Sequence, residues 1–230
     1  MRVVSWNLRG GTDAKWDLLR SLDADVAVLP EAARAPGRAA GSLLEPAAHW
    51  HWVGVNPQKG LAVTTFAAPS GVLAAEATGR WSIGVRSGGL TVLGVWSCPS
   101  GGGYAREVHR AVDAHVRWFH PDGDVIVAGD FNVDAAGALR RRSGDFRRLA
   151  ERLHGLGLTS AYHLVRHEPY GAESRPTYYH HRNMAHPFHI DFCFVSKSLV
   201  ERVRAVEVGT FDDWVAPGYS DHVPIIIELA

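Results

Sequence analysis

The sequence has 230 residues and is 46% hydrophobic, so it can bury a sizeable core. Its 24 Lys and Arg residues balance its 24 Asp and Glu residues, which excludes a broad basic surface for nucleic acid and leaves only local basic patches. No apolar run approaches the ~20 residues of a membrane span, and the first predicted strand begins at Arg2, which leaves no room for a signal peptide. We therefore expect one cytoplasmic domain over residues 1–230, with no membrane partner.

The N-terminal part of the chain places polar residues where predicted strands end. Residues 2–8 are predicted to form a strand with Asn7 at its exit, next to glycines that permit a sharp turn. Residues 25–29 are predicted to form a second, buried strand, and Glu31 follows it after Pro30, which is expected to end the ladder. Taken alone, such an acid is also typical of a solvated loop.

The middle of the chain is predicted to be rich in strands. Residues 49–97 alternate strand-like runs with turn residues, which predicts a meander that forms much of one sheet. The last run contains Trp96, and a glycine-rich loop leads from there to Tyr104. This loop lacks the Lys-Ser or Lys-Thr of a phosphate loop. An apolar stripe over residues 104–119 predicts a helix that covers a sheet face.

The stretch Asp-Val-Ile-Val-Ala-Gly-Asp-Phe-Asn-Val-Asp at residues 124–134 is the most informative part of the sequence. Its apolar run predicts a strand buried on both faces, and Asp130 and Asn132 stand where that strand ends. Gly, Asp and Asn are also common in turns. This stretch alone therefore favours a functional site and an ordinary turn about equally.

Two further strands carry polar residues near the C-terminal end of the sequence. Residues 189–195 alternate, which predicts two faces: Ile190, Phe192 and Phe194 on one, and His189, Asp191 and Cys193 on the other. An aspartate in such surroundings is unfavourable unless it is paired. The final predicted strand, residues 225–229, is preceded by Asp221 and His222.

These strand ends together predict one site. They carry Asn7, Glu31, Asp130 with Asn132, Asp191, and Asp221 with His222. Strands of one architecture converge at a rim, so these side chains are expected to meet there. Carboxylate and amide oxygens suit Mg²⁺ or Mn²⁺, and Mg²⁺ keeps positions for waters and phosphate oxygens. The chemistry predicted is phosphoryl transfer to water.

The motifs at these positions resemble, in order, those of the endonuclease/exonuclease/phosphatase superfamily. They are Ser5-Trp6-Asn7, Leu29-Pro30-Glu31, Gly129-Asp130-Phe131-Asn132, Ile190-Asp191-Phe192 and Ser220-Asp221-His222-Val223-Pro224. The resemblance spans nearly the whole chain. It implies an α/β fold of the deoxyribonuclease I or apurinic-site endonuclease type: a four-layered sandwich of two packed, mostly antiparallel sheets flanked by helices.

The resemblance also implies how a divalent cation is held. Glu31 is expected to be the principal metal ligand, with Asn7 beside it and Asp221 contributing. The ion is expected to be Mg²⁺ or Mn²⁺. The family often has Gln before this Glu, where this sequence has Pro30.

The remaining motif residues imply catalytic roles. Asp130 is expected to orient or deprotonate the attacking water, and Asn132 to position the phosphate or that aspartate. His222 is expected to hydrogen-bond a phosphate oxygen while Asp191 holds the other nitrogen of its ring. An adjacent carboxylate favours the imidazolium form, which stabilises negative charge on the phosphate.

Several residues are expected to contact the substrate. The segment Pro176-Thr177-Tyr178-Tyr179 resembles the Thr-aromatic-aromatic segment of the apurinic-site and exonuclease branch, whose aromatics can stack on a base or simply pack within a loop. His189 is expected to reach the site from its strand. The family commonly places a catalytic His or Tyr after the strand that here ends at Trp96. Three alternatives stay open for that role: Trp96 lines the site, Tyr104 supplies a hydroxyl, or no residue takes the role.

The sequence therefore predicts a metal-dependent phosphoesterase that hydrolyses phosphodiester bonds, with DNA or another nucleic acid as substrate. Two alternatives stay open: a phosphatase or phosphodiesterase acting on a small molecule or lipid head group, and a binding module that keeps the fold without turnover. The binding module is disfavoured because the catalytic motif residues are all present. Salt dependence separates the substrates, since added salt weakens nucleic-acid binding steeply.

Overall fold

The computed structural model describes most of the chain, namely residues 1–10, 13–34, 49–66, 69–73, 81–98, 103–120, 122–137 and 145–230. Part of the predicted meander and most of the glycine-rich loop before Tyr104 lie outside these ranges. Among the described helices, none is long and apolar enough to cross a membrane.

The described residues form strands and helices that alternate along the chain. In chain order the strands are β1 (Arg2–Ser5), β2 (Val26–Ala32), β3 (His49–Asn56), β4 (Lys59–Thr65), β5 (Ser70–Val72), β6 (Ser82–Ser87), β7 (Leu90–Trp96), β8 (Asp124–Asp130), β9 (Leu158–Ser160), β10 (Tyr178–Tyr179), β11 (Pro187–Phe188), β12 (Asp191–Ser196), β13 (Val203–Val208) and β14 (Ile225–Leu229). The α-helices are α1 (Asp13–Ser21), α2 (Tyr104–His115), α3 (Phe146–Gly155), α4 (Ala161–Arg166) and α5 (Lys197–Val200). Shorter helical turns cover Val116–Trp118, His180–Arg182 and Phe211–Val215.

Two six-stranded sheets form the centre of the part described. The first has the strand order β13-β14-β1-β2-β4-β3, and the second has the order β5-β6-β7-β8-β12-β9. β1 is parallel to β2 and β7 is parallel to β8, whereas the other paired neighbours in both sheets are antiparallel. A separate short hairpin joins β10 to β11.

The sheets and helices pack in four layers. Apolar residues of both sheets meet in a core between them, including Val3, Val28, Val92, Ile126 and Cys193. α1 covers the outer face of the first sheet through its apolar stripe, and α2 and α3 cover the outer face of the second sheet in the same way. The expected four-layered α/β sandwich is confirmed.

The meander prediction was wrong in one respect. β3 and β4 belong to the first sheet, but β5, β6 and β7 belong to the second. β4 pairs with β2, whereas β7 pairs with β8. Alternation in the sequence indicates which face of a strand is buried, but it carries no information about which strand is the neighbour.

The strand directions bring the polar strand ends to one rim. Asn7 and Glu31 lie at the carboxyl ends of the parallel strands β1 and β2, and Asp130 ends β8. β12 is antiparallel to β8, so its first residue, Asp191, pairs directly with Asp130. β14 is antiparallel to β1, so the segment that contains His222 precedes β14 at the same rim.

Candidate active site

Asp130 lies at the centre of the rim and is 1% exposed. Its Oδ2 accepts hydrogen bonds from the Nδ2 atoms of Asn7 and Asn132, both at 2.9 Å. Its Oδ1 accepts a hydrogen bond of 2.9 Å from the backbone N–H of Asn132. Asn132 has a left-handed backbone with φ of 53°, which turns its side chain back toward the aspartate. The end of β8 is therefore a closed polar network rather than an ordinary turn.

Gly129 allows this network to form because it lets β8 approach β7 closely. Its φ of 139° is disfavoured for residues with a side chain, and a Cβ atom built there would lie 1.8 Å from the carbonyl oxygen of Val95. Asn132 also donates a hydrogen bond of 3.0 Å to the carbonyl oxygen of Ser97, after β7. Both amide hydrogens of Asn132 are thus used to position Asp130 between the two strands.

The surroundings of Asp130 change its proton affinity. Burial is the largest effect and raises its pKa, and the nearby Asp191 carboxylate raises it further. His222 and the Asn7 hydrogen bond act in the opposite direction, and the resulting pKa is about 7. A carboxylate with a pKa near neutrality is suited to accept a proton from water.

His222 and Asp191 form a buried pair beside Asp130. The Nδ1 of His222 donates a hydrogen bond of 2.8 Å to Oδ2 of Asp191, and its Nε2 lies 4.0 Å from Oδ2 of Asp130. Burial is the largest single effect and lowers the pKa of His222, but Asp191, with Asp130 and Asp221, raises it to about 9. The ring is therefore an imidazolium at neutral pH, with an Nε2–H that can donate to an anion.

Neighbouring backbone and side chains hold this pair in position. Ser220 Oγ donates a hydrogen bond of 2.7 Å to the carbonyl of Asn7 and accepts one of 3.1 Å from the backbone N–H of His222. Trp6 Nε1 donates a hydrogen bond of 3.1 Å to the carbonyl of His222. The motifs that contain Trp6 and Ser220 predicted the rim, but the sequence did not indicate that these two residues support His222.

Glu31 projects from a bulge in β2. The register with β4 shifts between Pro30 and Ala32, and Glu31 between them has φ of 59°. The expectation that Pro30 ends the ladder was wrong, because the bulge accommodates the proline and β2 continues to Ala32. Glu31 Oε1 lies 3.4 Å from Nδ2 of Asn7, and Oε2 lies 2.9 Å from Nζ of Lys59.

The carboxylate of Glu31 is the group at this rim that best fits a divalent cation. The Glu31 carboxylate already pairs with a cation, the Lys59 ammonium group, and a carboxylate is the ligand that hard cations prefer. The other expected ligands are engaged elsewhere. Asn7 turns its Nδ2 toward Glu31, and its Oδ1 accepts a hydrogen bond of 2.9 Å from the backbone N–H of Arg9. Asp221 pairs with the side-chain Nε of Arg9 at 3.4 Å. Arg9 and Lys59 were not identified from the sequence, because neither lies in a periodic pattern.

A second group could also hold an ion. Ligand atoms of Asp130, Asp191 and His222 lie within 4.8 Å of one another, and all three residues are buried. Asp191 Oδ1 is buried without a hydrogen-bond partner. A protonated imidazole cannot act as a metal ligand, however, and His222 is held in that form by Asp191.

Two of the expected substrate contacts lie at the site. The ring of Tyr178 lies 4.6 Å from the ring of His222, and its hydroxyl is 2.8 Å from Nδ1 of His180. Trp96 lies beneath Lys59, with 5.4 Å between Nζ and the ring centroid, but only 4% of Trp96 is exposed because it packs against Trp81. Tyr178 therefore offers the more accessible aromatic surface.

The other expected substrate contacts are placed elsewhere. Thr177 is fully buried, and its Oγ1 accepts hydrogen bonds from the backbone N–H groups of Ile190 and Asp191 at 3.1 and 3.0 Å. It positions the start of β12 and is not available to substrate, so that expectation was wrong. Tyr104 packs against the apolar cluster on the outer face of the second sheet.

The expectation that His189 reaches the site was also wrong. Its ring lies 4.6 Å from the ring of Tyr162 and 5.0 Å from that of Phe192, and its Nδ1 donates a hydrogen bond of 2.8 Å to the carbonyl of Arg175. The regular alternation begins only at Asp191, because Thr177 binds the amides at the entrance to the strand. The alternation of side chains between two faces holds only within a strand, so it does not predict the direction of His189, which precedes β12.

A comparison with known families agrees with the geometry of this rim. The family model described as Endonuclease/Exonuclease/phosphatase family matches residues 4–222. The chain belongs to this family. A search of curated proteins finds no match.

Solved structures of this fold cover the whole chain. An AP endonuclease from Archaeoglobus fulgidus matches with a TM-score of 0.77 and 16% identity, covering 100% of this chain and 99% of that one. The 3'-5' exonuclease NExo from Neisseria meningitidis matches with a TM-score of 0.75 and 18% identity, covering 100% and 99%. The endonuclease domain of TRAS1, a telomere-specific non-LTR retrotransposon, matches with a TM-score of 0.68 and 16% identity, covering 99% and 97%. At these identities the likeness establishes the fold, and membership of the family supports a nuclease or other phosphoesterase.

Proposed function

We propose that this protein is a divalent-metal-dependent phosphodiesterase that cleaves nucleic acid, with DNA favoured, by in-line attack of water. The observation that carries the proposal is the position of buried Asp130, fixed by two amides, next to the imidazolium of His222. A base for water and a donor for a phosphate oxygen are thus held side by side. Glu31, at the same rim, is the proposed site for the cation.

Each side chain has a distinct role in the proposed reaction. Asp130 accepts the proton of the attacking water, and Asn7 and Asn132 fix the direction of its carboxylate. The Nε2–H of His222 donates to a non-bridging phosphate oxygen as negative charge increases there, and Asp191 keeps the ring protonated and oriented. Glu31, with Asn7 and Asp221 as further candidate ligands, would hold a divalent cation, which would supply Lewis-acid polarisation of the phosphate.

We assign the cation to Glu31 rather than to the Asp130, Asp191 and His222 group. Mg²⁺ prefers oxygen ligands, and the imidazolium of His222 has no free lone pair for Mg²⁺ or Mn²⁺. Mn²⁺ binding, measured by electron paramagnetic resonance (EPR), is expected to be lost in Glu31→Gln and kept in His222→Gln. The reverse result would move the ion to the second group.

DNA is favoured over a small ester because of the groups around the site and the nature of the structural neighbours. Tyr178 offers a ring beside His222 on which a base can stack, and Arg9 and Lys59 provide half-exposed positive charge. One neighbour of the fold is a 3' phosphatase from Neisseria solved with a product DNA hairpin. The free thiols of Cys98 and Cys193 are consistent with a cytoplasmic enzyme.

The test is metal-dependent product release from a panel of substrates. The panel comprises supercoiled plasmid, single-stranded DNA, an abasic duplex, RNA and bis-p-nitrophenyl phosphate, each with Mg²⁺ or Mn²⁺. We expect cleavage of a nucleic acid that is lost in Asp130→Ala and His222→Ala and kept in Asp17→Ala, which changes an exposed acid on α1. Turnover of the small ester alone would favour the small-molecule phosphodiesterase, and no turnover at all would favour the binding module.

A further inference from the structure

Lys59 is a half-exposed lysine at the rim whose role the proposed mechanism leaves open. It begins β4, directly after the turn from β3. Its Nζ lies 2.9 Å from Oε2 of Glu31 and 5.4 Å from the ring centroid of Trp96. The Lys59 side chain is 48% exposed, whereas that of Glu31 is 17% exposed. The lysine can therefore leave this contact more easily than the glutamate can.

The backbone on both sides of this ion pair is fixed. Ala32, after the bulge that carries Glu31, pairs with Gly60, the neighbour of Lys59. A Cβ atom at Gly60 would lie 2.3 Å from the ring of Trp52, so the glycine packs directly against this ring, and Trp52 Nε1 donates a hydrogen bond of 3.0 Å to the carbonyl of Ala32. The pairing of Glu31 with Lys59 thus follows from the register of β2 and β4, and the lysine side chain is the mobile part.

The same carboxylate is the proposed site for the divalent cation. A cation there would be close to the ammonium group and would repel it, since like charges a few ångströms apart interact unfavourably even in a partly solvated site. Lysine is a compact charge on a flexible stem, so it can move away without disturbing the strand. Its ammonium group would remain at the rim, where the proposed reaction brings a phosphate oxygen of the substrate as a new partner.

We propose that Lys59 is a substrate-positioning residue: it neutralises Glu31 in the metal-free protein and transfers its ammonium group to a phosphate oxygen once a divalent cation binds Glu31. This inference rests on the proposed function of the same site. It assigns Lys59 two partners in succession, each of which can be measured separately. The contact with Glu31 is tested by metal binding in the absence of substrate. The contact with phosphate is tested by oligonucleotide binding in the absence of cleavage.

The first measurement is Mn²⁺ binding to the substrate-free protein by EPR. Removing a competing charge should strengthen binding, so Lys59→Gln is expected to bind Mn²⁺ roughly two- to fivefold more tightly than the parent, the range for a half-exposed ion pair. Lys197→Gln is the control, because Lys197 is exposed on α5. Unchanged or weaker Mn²⁺ binding in Lys59→Gln would overturn the proposal.

The second measurement is equilibrium binding of a fluorescent single-stranded oligodeoxynucleotide at saturating Mn²⁺. Asp130→Asn serves as the parent so that no cleavage occurs. Adding Lys59→Gln is expected to weaken binding and to reduce the slope of log K against log salt by about 1, as for one lost phosphate contact. Adding Lys197→Gln should leave the slope unchanged.

The outcomes distinguish this proposal from the proposed function. If oligonucleotide binding by the parent depends on salt, but Lys59→Gln leaves the slope of log K against log salt unchanged, the role of Lys59 is overturned. The nuclease proposal would then still stand. A parent that binds no oligonucleotide, together with a wild-type protein that cleaves none, would overturn both. A reduced slope together with tighter Mn²⁺ binding supports both partners of Lys59.

Discussion

At the scale of single residues, the site contains two ionisable groups whose surroundings raise both of their pKa values. Burial and Asp191 raise the pKa of Asp130 to about 7. Burial is the largest single effect on His222 and lowers its pKa, but the carboxylates of Asp191, Asp130 and Asp221 together outweigh it and raise the pKa to about 9. Between these values Asp130 can accept a proton while His222 can still donate a hydrogen bond. These are the protonation states that the proposed reaction requires.

The first prediction concerns the pH dependence of cleavage. In the wild-type protein, kcat/KM should rise as Asp130 loses its proton near pH 7 and fall as His222 loses its proton near pH 9. Asp191→Asn removes the charge that keeps His222 protonated, so burial then lowers the pKa of the ring. The alkaline limb should move to lower pH, and kcat at pH 8 should fall by about 100-fold. A pH–rate profile of both proteins checks this; an unmoved alkaline limb in the variant would assign that limb to another group.

The second prediction concerns stability without metal. The pKa of Asp130 is higher in the folded protein than its usual value of 3.8, so its stabilising contribution is present below that pH and is lost as the pH rises through about 7. Asp130→Asn does not titrate. The Tm of the variant relative to the wild type, measured by calorimetry in EDTA, should therefore increase by several degrees between pH 5 and pH 8. A difference that does not vary with pH would mean that Asp130 has an ordinary pKa.

At the scale of secondary-structure elements, short connections outside the strands position the proposed catalytic side chains. Thr177 holds the first amides of β12, and Ser220 and Trp6 hold the segment before β14. The motif residues could be predicted from the sequence because each follows or precedes an apolar run. The hydrogen bonds that orient these side chains could not be predicted, because such bonds join residues that are far apart in the chain.

The third prediction tests the supporting role of Thr177. Thr177→Val keeps the volume but leaves the buried amides of Ile190 and Asp191 without an acceptor, which should destabilise the protein by ~1–3 kcal/mol. Because Asp191 is then less well positioned, kcat should fall while KM changes little. Thr177→Ser keeps the hydroxyl and serves as the control. Urea unfolding and steady-state kinetics measure both effects; a raised KM with normal stability would restore the substrate-binding role.

The limits of the sequence prediction have physical causes at this scale. The strands of the core, the four layers and the meeting of the polar strand ends were all predictable from apolar runs and from motifs. The division of residues 49–97 between two sheets was not, because a pattern of buried faces does not select a partner strand. The Glu31 and Lys59 pair was missed for the same reason, since it depends on a register shift between β2 and β4.

At the scale of the whole molecule, positive and negative charges are balanced, so we expect any affinity for nucleic acid to come from local cations such as Arg9 and Lys59 at the rim. The fourth prediction is that KM for a nucleic-acid substrate rises with salt along a shallow straight line in a log–log plot, with a slope that corresponds to few phosphate contacts. Turnover of bis-p-nitrophenyl phosphate should hardly respond. Kinetics at several salt concentrations measure both; a slope as steep as that of a strongly basic DNA-binding protein would require an additional surface.

The pairing of β1 with β14 has a consequence for biosynthesis. β1 and β14 are neighbours in the first sheet, and the residues just beyond them supply Asn7 and His222 to the same rim. During translation β1 is made long before β14, so until then the nascent chain lacks one of the two neighbours of β1 and the imidazolium. The proposed activity therefore requires that β14 has been synthesised and paired with β1. A chain that cleaves nucleic acid would in this way stay inactive until that late pairing forms.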